Sequence, residues 1–227
     1  MTEKHTAIIN FHGDPNVGLY GLATDKFCLL GKSVREKDVR EIEAALKVPI
    51  FQLSFYGTDL IGLFAVGNSK TILLPNIIYD SELKKLRKDL DKLGVKIEIL
   101  ETNHTAFGNN IIVNDKKGII SNVYSNKEAE KISKMFPDVE FEQIDLSIPG
   151  SIGKVTNAGG IFEPNLPEII VKKLEQHFGF EVGLGTVNMG NPFISSGIIA
   201  NSFGFIMGAN SSGFEVTRVD ESLGFLK

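Results

Sequence analysis

The sequence is poor in cysteine: Cys28 is the only one among its 227 residues. A single thiol cannot form an intramolecular disulfide, and it cannot supply the cysteine cage of a structural zinc site. This usage is typical of a protein that works in a reducing compartment. The first residues lack the long apolar segment of a secretory signal, and no apolar run approaches the roughly 20 residues that cross a bilayer. We therefore expect a cytoplasmic protein without a membrane-spanning segment.

The sequence also lacks an excess of positive charge. Lysine and arginine number 24 against 28 aspartates and glutamates, which gives a formal net charge of -4. Proteins that coat a phosphate backbone broadly usually carry a basic excess. We therefore expect any nucleic-acid contact to be local, or to be made through a basic protein partner. Hydrophobic residues make up 42% and charged residues 23%, which is typical of a globular protein and not of a disordered one.

What the sequence does contain is an internal repeat. A short apolar strand that ends in Asn or Thr recurs five times, and each copy is followed by a polar turn that suits a hairpin. A second strand follows each turn, and four copies continue with an amphipathic helix and a third strand. The repeating unit is therefore strand, strand, helix, strand. The residues that end the first strands are separated by 44, 46, 43 and 44 residues: Thr24, Asn68, Asn114, Asn157 and Asn201.

The fifth copy is incomplete, since no third strand follows residues 220–226. The apolar segment at residues 6–11 is a strand without a unit of its own. The 26 residues that follow Asn201 and the 24 residues that end at Thr24 together make about one period of the repeat. We therefore predict that the N-terminal strand completes the C-terminal unit. This arrangement closes a ring without exposed unit ends; an open array of five loosely similar segments is the alternative.

The fold class that follows is α/β, as a closed ring of five ββαβ repeats with pseudo-fivefold symmetry. We expect one domain that spans residues 1–227. The predicted units are residues 18–61, 62–107, 108–150, 151–194, and 195–227 together with 1–17.

Patterns for catalysis or metal binding are sparse. Cys28 lies in an apolar strand, which favours a buried structural cysteine over a nucleophile, because a nucleophile needs an accessible setting beside a histidine. His12 and His104 both follow third strands, so a shared metal site on one face of a ring is an alternative, although no ligand spacing supports it. Gly183 and Gly185 suggest a phosphate loop, but no helix start follows them. We expect no catalytic residue, no metal and no cofactor.

Several segments carry a resemblance that runs through all five units. The most specific is Gly-Thr-Val-Asn-Met-Gly at residues 185–190. The others are residues 66–76, 105–109, 114–116, 149–151, 156–160 and 221–225. In these segments the chain resembles the translation initiation factor 6 family, in its archaeal branch.

The resemblance implies a pentein fold and a non-enzymatic role in protein biosynthesis. Members of this family bind the large ribosomal subunit on the face that meets the small subunit, and so prevent premature association; in eukaryotes they also serve late maturation of that subunit. The implied partners are the basic ribosomal protein uL14 and the sarcin–ricin loop of the large rRNA. A modestly acidic ring suits a basic partner. We expect a monomer with neither a membrane partner nor a small-molecule substrate.

The resemblance also implies where the ribosome is contacted. The family's contact face includes residues at the start of the first strand in several units, and Asn109 matches the Asn that follows the glycine of the motif Ala-x-Gly-Asn. The eukaryotic pattern has more basic or aromatic side chains at two of the matched positions, Leu63 and Ile152, where apolar packing would replace polar pairing. The ribosome-binding residues implied by these matches are Leu63, Asn109, Ile152 and Phe193.

Two other functions remain open on the sequence. The same fold houses enzymes that attack guanidino groups with a cysteine nucleophile, a histidine and carboxylates in a central cavity. The absence of any cysteine after Cys28 argues against that activity. The third function is a ring that binds a small molecule in its central channel.

Overall fold

The computed structural model describes residues 4–226, so the ends of the predicted domain, residues 1–3 and 227, lie outside the described residues. The strands, in chain order, are β1 Thr6–Ile9, β2 Gly21–Ala23, β3 Cys28–Gly31, β4 Ile50–Leu53, β5 Val66–Gly67, β6 Thr71–Pro75, β7 Lys96–Leu100, β8 Ile111–Val113, β9 Lys117–Ser121, β10 Glu140–Ile144, β11 Gly153–Val155, β12 Gly160–Phe162, β13 Val182–Leu184, β14 Ile198–Asn201 and β15 Gly204–Gly208.

The helices fall into two classes. The long ones are α1 Glu36–Leu46, α3 Asp80–Leu90, α5 Asn126–Met135, α7 Glu168–Phe178 and α9 Gly213–Ser222. The short ones are α2 Ile61–Phe64, α4 Phe107–Asn110, α6 Pro149–Ile152 and α8 Ile194–Gly197, together with 3-10 turns at Val17–Tyr20 and Asp91–Leu93.

Within residues 4–226 the strands form five three-stranded sheets with one shared pattern. In each sheet the second strand lies in the middle, antiparallel to the first and parallel to the third. The middle strands are almost wholly buried, which explains their continuous apolar sequences. The predicted unit of strand, strand, helix, strand is confirmed.

The N-terminal strand belongs to the last sheet. β1 pairs in parallel with β15, with Thr6 opposite Phe205 and Ile9 opposite Gly208. The backbone of Phe205 also donates a hydrogen bond of 2.8 Å to the carbonyl oxygen of His5. The prediction that the N-terminal strand completes the C-terminal unit is confirmed.

The fifth unit contains a long helix that the sequence analysis missed. α9 occupies Gly213–Ser222, where we expected only a short segment at residues 220–226. Its start is a capping box, in which Ser212 accepts from the backbone of Glu215 and the Glu215 carboxylate accepts from that of Ser212. The serine followed three residues later by a glutamate was the sequence signal that could have revealed this helix.

The hydrophobic core consists of five clusters, each shared by two neighbouring units. One cluster joins Leu29 of the first unit to Ile72 of the second, and the next joins Leu73 to Ile120 of the third. The series continues through the third and fourth units and through the fourth and fifth. The remaining cluster packs Ile206 of the fifth unit against residues of the first. Contacts between units therefore run around a cycle.

Candidate functional site

One helical turn precedes the first strand of every unit, and sequence analysis did not detect any of them. They are Val17–Tyr20, α2, α4, α6 and α8. Each has only four residues, too few for a periodic pattern. Their first residues are all buried and anchor the turns in the core: Val17, Ile61, Phe107, Pro149 and Ile194.

The second residue of each turn is glycine, except for Ser195 in the fifth unit. A Cβ on Gly108 would lie 1.8 Å from the carbonyl oxygen of Gly62, and one on Gly62 would lie 2.1 Å from that of Gly18. A Cβ on Gly18 would lie 1.8 Å from the carbonyl oxygen of Ser195, which links the fifth unit to the first. Neighbouring turns thus pack backbone against backbone, and a side chain has no room at these positions. We call this set of helical turns the turn end of the molecule.

The third residues of the turns lie at the surface of the turn end. They are all half-buried: Leu19, Leu63, Asn109, Ser151 and Ser196. Ile152, which the family resemblance implied as a contact residue, is the fourth residue of its turn and is only 6% exposed. Its side chain is buried in an apolar cluster with Phe162 and Leu174 and offers little surface for a direct contact. Ser151 occupies the position equivalent to Asn109.

A recess of about 270 Å³ opens among these residues. Asn109, Ser151 and Phe193 line it, together with Leu19 and Ser196, whereas Leu63 lies outside its lining. The structure therefore brings Asn109 and Phe193 to one recess. Leu63 does not line the recess but follows the lining residue Gly62 in sequence.

The side-chain amide of Asn109 makes no hydrogen bond to any residue that the structure describes. Its backbone N–H is used, since it donates to the carbonyl oxygen of Ala106 at 3.0 Å. A half-buried amide has two donors and an acceptor that need partners. Asn109 is thus placed to bond with a group outside this chain.

Phe193 is an exposed aromatic residue beside the turn end, with 47% of its surface accessible. It caps α8, and its backbone is fixed on both sides. Its N–H donates to Oδ1 of Asn191 at 3.0 Å, and its carbonyl oxygen accepts from the Ser196 hydroxyl at 2.7 Å. The local hydrogen bonds therefore hold the ring out towards solvent.

The loop before Phe193 is held by one carboxylate, that of Glu215. It accepts from the Thr186 hydroxyl at 2.8 Å and from the backbone of Gly190 at 2.9 Å and Met189 at 3.2 Å. Burial acts to raise the pKa of Glu215, but the backbone donors of Ser212 and Gly190 and the hydroxyls of Thr186 and Ser212 together hold it below its ordinary value. Met189 has φ of +65°, a conformation that non-glycine residues rarely adopt. Glu215 therefore fixes a strained loop.

The same device occurs in the second unit. The Glu82 carboxylate of α3 accepts from the backbone of Tyr56 at 2.8 Å and of Gly57 at 2.9 Å, both of which have positive φ. It also accepts from the N–H of Tyr79, which caps its own helix. A glutamate near the start of a long helix thus fixes the loop that leads into the helical turn.

The opposite end of the first strands carries the five hairpins, and we call it the hairpin end. Here asparagine amides link neighbouring units. Nδ2 of Asn68 donates to the carbonyl oxygen of Asn114 at 3.2 Å, and Nδ2 of Asn114 donates to that of Thr156 at 3.0 Å. Nδ2 of Asn201 donates to the carbonyl oxygen of Thr24 at 3.0 Å, which joins the fifth unit to the first.

One residue of the predicted repeat is displaced by one position. The N–H of Thr156 donates to the carbonyl oxygen of Gly159, just as that of Thr24 donates to Phe27. Thr156, and not Asn157, is therefore the equivalent residue in the fourth unit. Asn157 lies one step further into its turn, where Nδ2 donates to the carboxylates of both Asp25 and Asp115.

The groups that could suggest catalysis have structural surroundings. Cys28 is fully buried, and burial raises the pKa of its thiol to about 12, so the expectation of a structural cysteine is confirmed. His12 contacts the carbonyl oxygen of Ser33, while His104 packs against the ring of Tyr124. Within residues 4–226 no cluster of three or more His, Cys, Asp or Glu residues is arranged to hold a metal ion. No helix in the same range has the length and apolar character needed to span a membrane.

Comparisons with known proteins place these features in a family. The eIF-6 family pattern matches residues 6–222. Translation initiation factor 6 of Thermococcus onnurineus is 36% identical over 226 residues, which cover 98% of this chain and 99% of that protein. The protein of the same name from Pyrococcus horikoshii is 35% identical, with 98% and 100% covered. A solved dimethylarginine dimethylaminohydrolase has a TM-score of 0.49 at 11% identity, covering 91% of this chain and 72% of its own, which is too distant to carry a functional argument.

Proposed function

The chain belongs to the eIF-6 family, and from this premise we propose that it is a translation initiation factor that binds the large ribosomal subunit and prevents its premature association with the small subunit. Its relatives named translation initiation factor 6 match this chain over almost their whole length. The mechanism is steric, without chemical turnover: a bound body occupies the space that the small subunit needs. The same binding serves a maturing subunit.

The observation that carries this proposal is the pairing of Asn109 and Phe193 at one recess. Asn109 has an amide without a partner among the described residues, and Phe193 has an exposed ring on a fixed backbone. Aromatic anchors beside a pocket, with polar groups that need partners, are typical of the energetic centre of a protein–protein interface. Ser151 takes the contact role that the resemblance had implied for Ile152, and Leu63 adds apolar area at the edge.

The charge of the chain favours a basic protein as the main partner. A net charge of -4 is complementary to a basic surface and raises the rate of encounter with it. We assign this role to the ribosomal protein uL14. The sarcin–ricin loop is then a local neighbour, since broad binding to phosphate would need a basic excess.

The surface area of the chain is sufficient for such an interface. A standard interface buries about 800 Å² on each partner. The described part of the chain exposes 10238 Å², so less than a tenth of it is needed. A monomer can therefore bind the large subunit through the turn end, while the rest of its body blocks access of the small subunit.

Co-sedimentation with separated archaeal ribosomal subunits tests this function. We expect the wild type to sediment with the large subunit only. Phe193→Asp and Asn109→Ala are expected to weaken this binding at least roughly tenfold, which corresponds to about 1.4 kcal/mol.

Phe203→Asp is the matched control. Phe203 is 41% exposed, similar to Phe193, but it lies in a hairpin at the opposite end of the same strand, β14. We expect this variant to bind as the wild type does. If Phe203→Asp weakened binding while Phe193→Asp did not, the chosen surface would be wrong; if the wild type failed to bind large subunits, the function itself would be wrong.

A further inference from the structure

A small cavity lies among the first strands, between the turn end and the hairpin end. Its volume is about 60 Å³, and its walls are mostly glycine and apolar residues of β2, β5, β8 and β11. It shares Gly18, Gly62, Gly108 and Ser195 with the recess of the turn end. We call it the axial cavity.

Lys154 is the one charged side chain among the described residues that line the axial cavity. It belongs to β11, between the buried residues Gly153 and Val155. Its ammonium group makes neither a hydrogen bond nor an ion pair with any residue of the described range. An enclosed charge without a partner is unfavourable, because water no longer solvates it fully. The function proposed above gives no reason for this lysine.

Two acidic groups, Asp25 and Asp115, line an adjoining space that shares Val113 and Val155 with the axial cavity, and both are hydrogen-bonded to other groups. Asp25 accepts from the backbone of Ser202 at 2.8 Å and from the amide of Asn157 at 2.7 Å. Asp115 accepts from the backbone of Ser69 at 2.8 Å and from the same amide at 2.8 Å. Both carboxylates therefore serve the hairpin turns. They form no ion pair with the Lys154 ammonium in the described structure.

The thiol of Cys28 cannot act as the counter-charge either. It is the ionisable group that interacts electrostatically with Lys154, but burial raises its pKa to about 12, so it is neutral at physiological pH. Burial lowers the pKa of Lys154 from 10.5 to about 8, with a small opposing effect of Cys28. The lysine is thus still mostly protonated near neutral pH, and the cavity carries an uncompensated positive charge.

We propose that the axial cavity binds one small monovalent anion of the halide class, with the ammonium group of Lys154 as its charge partner. The volume of about 60 Å³ exceeds what a single water molecule requires. It is far below the roughly 300 Å³ at which pockets for organic ligands begin. Chloride is the abundant ion of this size and charge. The bound anion would neutralise the charge of Lys154 between the turn end and the hairpin end.

Two measurements on the full chain test the proposal. Crystals grown in bromide should show an anomalous scattering peak in the axial cavity, within hydrogen-bond reach of Nζ of Lys154. In solution, the chlorine NMR line width of chloride should increase in the presence of the wild-type protein. Both signals should be lost in Lys154→Met, which keeps an unbranched side chain but removes the charge.

Lys88→Met is the matched control, because Lys88 is an exposed lysine on α3. It should retain both signals. A bromide peak without excess line width in solution would mean an adventitious ion only, and it would overturn the proposal. Excess line width that survives in Lys154→Met would overturn it equally.

The wild type alone supplies a test that does not depend on a variant folding. The groups around the site are Lys154, Cys28, Asp25 and Asp115. Burial lowers the pKa of Lys154 to about 8 and raises the pKa of the Cys28 thiol to about 12. Chloride binding should therefore disappear as the pH rises from about 7 to about 9, because the ammonium group loses its proton. Binding that persists unchanged across this range would contradict the assignment.

Discussion

The turn end and the hairpin end of the same strands differ in what their polar groups contact. At the hairpin end, the amides of Asn68, Asn114 and Asn201 reach carbonyl oxygens of neighbouring units. At the turn end, the units meet through glycine backbones, and the amide of Asn109 has no partner among the described residues. The asparagines of the hairpin end therefore contribute to cohesion between units, whereas Asn109 of the turn end does not, and we propose that its amide serves the ribosomal partner. A repeated unit can separate stability from binding by placing them at opposite ends of one strand.

The largest expected effect comes from closing the space between the glycine backbones. Gly108→Ala places a Cβ 1.8 Å from the carbonyl oxygen of Gly62, so the two turns must move apart. We expect a loss of more than about 4 kcal/mol in the free energy of unfolding, or no folded protein. Urea unfolding measures it. Gly213→Ala is the control, since nothing lies within 4 Å of its added Cβ; equal midpoints for both variants would show that the turn end does not need this close packing.

The second effect tests cohesion at the hairpin end. Asn114→Ala removes the donor to Thr156 and the acceptor for the backbone of Lys116 and Lys117, at 2.9 and 2.8 Å. We expect a loss of about 3 kcal/mol, because these buried groups stay unpaired.

Asn114→Thr separates the two contributions. The chain itself has threonine at the equivalent positions Thr24 and Thr156, where the hydroxyl serves its own turn without bonding to the next unit. The threonine variant should therefore lose only the bond between units, about 1 kcal/mol. If the alanine and threonine variants lost equal stability in urea, the turn itself would contribute nothing.

An effect on stability smaller than that of Asn114→Ala, but with a consequence for binding, is expected from Glu215→Gln. It removes a charged acceptor from the loop before Phe193 and should lower the unfolding free energy by about 1–2 kcal/mol. Because the folded-state pKa of Glu215 lies below the ordinary 4.5, this stabilisation is present above that pH. It is lost as the pH falls through the folded-state value.

The control is Glu221→Gln, an exposed glutamate on the same helix. It should change neither stability nor co-sedimentation with large subunits, whereas Glu215→Gln should weaken both. A stability difference between wild type and Glu215→Gln that stayed constant down to strongly acidic pH would refute the role of the charge.

The repeat and the pairing of the N-terminal strand were predictable because strands and hairpins leave a signal at fixed spacing. The exact residue that ends the first strand of each repeat was harder to predict. Asn157 fits the Asn pattern of the other units, and only the hydrogen bond from Thr156 to Gly159 shows which residue ends the strand. Ile152 was named from the family resemblance, and its burial depends on packing against other segments, which the sequence does not show.

The helical turns and α9 were missed for different physical reasons. A four-residue turn such as α2 is stabilised by its neighbours and not by its own sequence, so no periodicity announces it. α9 has few apolar residues, with only Glu215 and Val219 buried, and its clear signal was the cap at Ser212. The unpaired amide of Asn109 is a property of its surroundings. The family pattern indicated that residue, but its geometry could not be read from sequence.

The pairing of β1 with β15 has a consequence for how the chain reaches its native state. The strand at Thr6–Ile9 leaves the ribosome long before its partner at Gly204–Gly208 exists, so it must stay unpaired through most of synthesis. Pairing of such distant segments makes folding slow, because a long loop must close before the contact forms. We therefore expect β1 to pair with β15 late in folding, and a chain arrested before residues 204–208 are synthesised cannot form this pairing.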